Sequence, residues 1–101
     1  KHLAELYYGG GPQIRKNVVQ VVAGMQSEEV VVRSILTNAL DDKQFCEEEL
    51  PDSMGDPLRV CDVAYNQIVL HFGIRDVLRT IGTAHRIEVR DYHIDKIRSL
   101  Y

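Results

Sequence analysis

The chain has 101 residues, 45% of them hydrophobic and 27% charged, the proportions of one small folded domain or of a fragment of a larger one. This composition excludes collagen, low-complexity disorder and a disulfide-dense miniprotein, and no run approaches the ~18 uncharged apolar residues of a membrane-spanning helix. Twelve Lys and Arg against 15 Asp and Glu give a formal net charge of −3, which argues against a domain built to hold a nucleic-acid backbone.

His2 to Tyr8 reads as a helix end with Leu3, Leu6 and Tyr7 on one side. Gly9, Gly10 and Gly11 break it, and Pro12 suits the start of the next helix. From Gln13 to Met25 the residues Ile14, Val18, Val21, Val22 and Met25 recur at helical spacing. The valines favour a strand by propensity, but spacing and length favour a helix. Ser27 reads as an N-cap, followed by Glu28 and Glu29, where acids suit the positive end of a helix dipole. Val31, Val32, Ile35, Leu36, Ala39 and Leu40 then form one helical face that ends near Asp41 and Asp42.

Lys43 to Asp56 is a long irregular stretch with the turn residues Pro51, Asp52, Ser53 and Gly55, a functional segment or an insertion. Asp56 and Pro57 read as N-cap and first-turn proline of a helix that carries Leu58, Cys61, Ala64, Tyr65, Ile68, Val69 and Phe72 and stops at Gly73. Ile74, Val77, Leu78 and Ile81 predict a short helix ending at Gly82, with Thr83 as the next cap. The last helix runs from about Glu88 to the end on Ile94, Ile97 and Tyr101. A strand over 86–90 is the alternative, since Ile87 and Val89 alternate with charged residues. The expected fold is all-α, a single domain made of a short stack of antiparallel helix pairs, with α+β as the alternative.

Little in the chain carries chemistry. The donors His2, His71, His85, His93, Cys46 and Cys61 show no CxxC or HExxH spacing. His85 and His93 would stand roughly 12 Å apart along a helix and cannot share an ion. No metal and no cofactor is expected. Cys61 has Arg59 nearby to lower a thiol pKa, but the position reads as core. A disulfide between Cys46 and Cys61 would need an oxidising compartment, and the expected compartment defaults to the cytoplasm, with secretion open. The three glycines before Pro12 lack the phosphate-loop pattern, and Asp52 to Asp56 lacks the EF-hand order. Arg59 and Asp62, three apart, are expected to pair on a helix surface, with Asp62 also free to hold loop amides.

Charge is distributed unevenly. From Asp41 to Asp56 there are seven acids and one base, Lys43, whereas the last quarter is rich in arginine. Glu47, Glu48, Glu49 and Asp52 on one side, and Arg75, Arg79, Arg86 and Arg90 on the other, are the candidate contact surfaces for a protein partner. The basic set also admits a nucleic-acid face. A third reading is a small enzyme, or its regulatory subunit, with Cys61, His71 or His93 in a cleft.

The stretch from Asp56 through Leu58, Arg59 and Ala64 to Phe72 and Gly73 resembles the second helix of a bacterial HEAT-like repeat, which opens with an Asp, an aliphatic residue and an Arg and closes near a glycine. Val30 to Asp42 looks like its partner helix, and Lys43 to Asp56 like the variable insertion between them. Tyr65 and Gln67 depart from the pattern, standing where small residues are usual, and no second copy appears at a fixed period. The resemblance spans about 45 residues. It implies a non-enzymatic scaffold for protein–protein interaction. Independently, one helix pair cannot bury its apolar stripe alone and a chain of this size has a limited core, so a piece of a longer solenoid or a chain that pairs with a second copy is expected.

Overall fold

The computed structural model describes residues 2–25, 30–46, 55–75 and 77–100. Among them are five α-helices: α1 (His2–Gly9), α2 (Pro12–Gly24), α3 (Val30–Ala39), α4 (Val60–Phe72) and α5 (Ile87–Leu100). The described residues are all-α, with one isolated antiparallel bridge between Phe45 and Arg59. None of these helices is long and apolar enough to cross a membrane. The Ser27 cap lies outside the described residues.

Burial explains why the valine-rich segment coils. Val18, Val19, Val22 and Ala23 fall on one side of α2 and are buried, and packing of an apolar face outweighs a propensity deficit of well under ~1 kcal/mol per residue. Pro12 opens that helix, where its missing N–H is one of the unpaired donors in any case. Helix α3 buries Val32, Ile35, Leu36 and Ala39, with Leu40 just beyond it. Helix α2 packs most broadly on α4, and α5 closes against α4 from another side. Ile68, Ile81, Ile94 and Ile97 complete the core. The molecule measures 40 × 31 × 17 Å, so its thin dimension holds about two helix layers.

Two local expectations are corrected, and one alternative falls away. Helix α4 starts at Val60, not at Asp56-Pro57, because the preceding residues pair with a remote stretch of chain. The Cys46 amide donates to the Leu58 carbonyl (3.0 Å), Val60 N–H to Gln44 (2.9 Å) and Cys61 N–H to Asp42 (2.8 Å). Two of the amides left unpaired by a helix start are thereby satisfied by backbone. The short helix expected over 74–82 is absent from the described residues 74–75 and 77–82, where α4 side chains bond Leu78 and Ile81. Residues 87–90 belong to α5, which removes the strand alternative. The stop at Gly73 is as expected: it takes φ 62°, the left-handed conformation that closes a helix at little cost for glycine.

Cys46 and Cys61 are both free and buried. Burial, with Asp62 beside it, pushes the Cys61 thiol from 9.0 up to about 12. Burial, with Asp42 nearby, pushes the Tyr7 hydroxyl from 10.0 up to about 12. Each group holds its proton more tightly folded than unfolded. Their stabilising contribution is therefore complete below the unfolded pKa values and is lost as the pH climbs from about 9 toward 12. Urea midpoints are expected to stay level up to about pH 9 and fall above it; a level midpoint through the alkaline range would contradict this placement of the two groups.

Candidate functional site

Two features stand out above the core, and the first is ionic. Asp62 lies on the first turn of α4 and is 0% exposed, as is Arg90 on α5. Arg90 donates from Nη1 to Asp62 Oδ2 at 2.7 Å. Its remaining donors reach the carbonyls of His85 (3.0 Å), Pro57 (2.9 Å) and Asp56 (2.7 Å). Asp62 also accepts from the Arg59 backbone N–H at 2.9 Å and from Arg59 Nη2 at 2.9 Å. The backbone bond is the acidic half of a capping box, a carboxylate at the third helical position turned back onto the cap.

Arg59 reaches on to Asp91 at 2.9 Å, and Lys43 meets the same Asp91 oxygen at 2.9 Å. Burial works against the Arg59 charge, but the bonds to Asp62 and Asp91 outweigh it and raise its pKa. Burial alone would raise Asp91 as well, yet hydrogen bonds from Lys43 and Arg59 hold it below its usual range. The Arg59–Asp62 pair expected on the helix surface is therefore buried, and Arg90 leaves the set of candidate contact residues. Three residues of α5 are buried, and Arg90 shares its face with Ile94 and Ile97 at helical spacing. The cluster fixes the entry to α4, the 55–57 segment and α5 together.

The second feature is an open groove of about 720 Å³ between the C-terminal half of α4 and the segment that follows it. Asn66, Gln67, Val69, Leu70 and Gly73 line one side; Ile74, Arg75, Val77, Arg79 and Thr80 line the other. Helix α4 forms one wall of the groove and bonds the segment that forms the other. The Asn66 side chain donates from Nδ2 to the Ile81 carbonyl (2.8 Å) and accepts from the Ile81 amide at Oδ1 (2.7 Å), as a neighbouring strand would. Tyr65 donates its hydroxyl to the Leu78 carbonyl at 2.6 Å. The chain then turns back through a His85 N–H bond to the Gly82 carbonyl at 2.9 Å. These bonds explain why apolar residues at helical spacing do not coil here: their backbone groups are already taken by side chains of α4.

Arg75 and Arg79 are exposed on this groove, and Arg86 is exposed just before α5. Among the described residues neither Arg75 nor Arg79 forms an ion pair. Leu70, on the apolar side, is 70% exposed. Glu47, Glu48, Glu49 and Asp52 lie outside the described residues. Cys61, His71 and His93 do not line the groove. Cys61 is sealed in the core, and His93 stands on α5 beside the rings of Tyr92 (5.2 Å) and Tyr65 (6.4 Å). Burial, then Lys96 and His85, lower the His93 pKa, leaving a neutral imidazole at pH 7. Among the described residues no group of three His, Cys, Asp or Glu side chains converges as a metal site requires. Asn66 is the groove-building residue that sequence reasoning passed over; a carboxamide inside an otherwise apolar helical run was its signal.

Compared with protein-family models, curated proteins and solved structures, the chain finds no match.

Proposed function

We propose that the chain is a non-enzymatic helical scaffold, HEAT-like in its helix pairing, that binds a protein partner. One observation carries the reading: a solvent-open groove whose aliphatic side chains and two exposed guanidiniums sit on a wall held rigid by Tyr65 and Asn66. A rigid surface of mixed apolar and charged character suits macromolecular contact, because little ordering remains to be done on binding. The residues an enzymatic reading would need, Cys61, His71 and His93, do not line this groove, and this further favours a binding role for it.

Co-purification from the native host, followed by cross-linking and mass spectrometry, tests the proposal. The expected result is a protein cross-linked to the helix surfaces, with a weaker yield for Asn66→Ala, which frees the groove wall. Repeated failure to recover any partner across low and high salt would speak against a scaffold.

A further inference from the structure

We propose that the groove lined by α4 residues and by Ile74, Arg75, Val77, Arg79 and Thr80 recognises an acidic, leucine-type segment of a partner protein, with carboxylates on Arg75 and Arg79 and an aliphatic side chain against Leu70, Ile74 and Val77. This inference rests on the protein-binding reading above and narrows it to one ligand chemistry.

Charge is the first argument. The whole chain carries a net charge of −3, yet the groove presents two arginines without an ion-pair partner among the described residues. Among the described lining residues the local sign is opposite to that of the molecule. A basic segment would meet like charge there, whereas a carboxylate would meet a planar fork that can bind it through two parallel hydrogen bonds.

The lining is the second argument. Val69, Leu70, Ile74 and Val77 are aliphatic, and among the described residues no aromatic ring lines the groove. Single-stranded nucleic acids are held by a basic track together with aromatic platforms for the bases. Here the basic residues are present and the platforms are not, so the groove fits aliphatic side chains rather than bases. Leu70, largely open to water, gains most from being covered.

Size and rigidity agree. About 720 Å³ lies within the ~300–1,000 Å³ typical of a ligand cleft and accommodates a few side chains of an extended or helical segment. The bonds from Tyr65 to Leu78 and between Asn66 and Ile81 hold the wall in place before any ligand arrives.

The test uses a fluorescein-labelled synthetic peptide of Leu-Asp-Glu repeats, read by fluorescence anisotropy at low salt. Saturable binding is expected. The double variant Arg75→Glu with Arg79→Glu should weaken it at least about ten-fold, and added salt should weaken it in the wild-type chain. Leu70→Ser should weaken it as well. All three positions are exposed, so urea midpoints should stay unchanged and a folding defect can be told from a binding defect. The inference is overturned by an absence of saturable binding, by binding that survives the double reversal, by equal binding of a Leu-Lys repeat peptide, or by an oligothymidine that outcompetes the acidic peptide. If the peptide fails while a co-purified partner cross-links elsewhere, this inference falls and the scaffold reading stands. If neither binds, both fall.

Discussion

Asp62→Ala is expected to destabilise the fold by about 3–5 kcal/mol, because it strips the counter-charge from buried Arg90 and leaves buried Arg59 with Asp91 alone. Arg59 and Arg90 are 3% and 0% exposed and both bond to this carboxylate. Neither can reach water without dismantling the packing around α4 and α5. For a domain of this size, total stability is typically about 5–15 kcal/mol, so the variant should be marginally folded at room temperature. Urea denaturation followed by circular dichroism measures the loss.

A second variant separates charge burial from capping. Replacing a buried ion pair by apolar residues of like volume is often neutral. In this protein the double change Asp62→Leu with Arg90→Met should stay destabilised, since the carbonyls of Asp56, Pro57 and His85 also lose their donors. A double variant as stable as the wild type would show that those backbone bonds contribute nothing.

Ile68→Ala is the other large effect, expected at about 2–5 kcal/mol. Ile68 is fully buried on α4, the helix on which α2 and α5 both pack. The loss combines the transfer energy of the missing carbons with the cavity they leave among neighbours that cannot all close in. Leu70→Ala, two positions along the same helix, is expected to change stability by no more than about 0.5 kcal/mol, because its side chain is already in water. Thermal melts of the two variants make the comparison, and equal costs would mean that α4 is rotated from the orientation described.

How much of this was legible depended on how local the cause was. Pro12 and Gly73 announce a start and a stop through backbone chemistry that acts within one turn, and both stand where the sequence puts them. Asp56-Pro57 is just as good a local start, yet α4 waits until Val60. The stretch 42–46 claims the intervening backbone, and no local pattern reveals a partner that far away. Arg90 was misplaced for a different reason. A charged residue is ordinarily exposed, and that prior hid its spacing, since it stands one turn before Ile94 and two before Ile97 on the inward face.

The site shows the same division. Arg75 and Arg79 could be picked out by charge alone, whereas the groove that gives them context could not, because it depends on an absent helix. Ile74, Val77, Leu78 and Ile81 carry the right spacing for one, but Tyr65 and Asn66 reach across and take backbone groups of Leu78 and Ile81 that a helix would use. Tyr65 and Gln67, the two residues that departed from the HEAT-like pattern, both serve the groove: one anchors its wall and the other lines it.

Arg90 has a consequence for how the molecule can be divided. Its bonds to Asp62, Pro57 and Asp56 join residues 28, 33 and 34 positions apart in the chain. Deleting α5 would therefore do more than shorten a row of helices. It would remove the only side chain that reaches both the carboxylate at the entry to α4 and the two carbonyls ahead of it among the described residues, so the second half of the chain must be kept or lost as one indivisible piece.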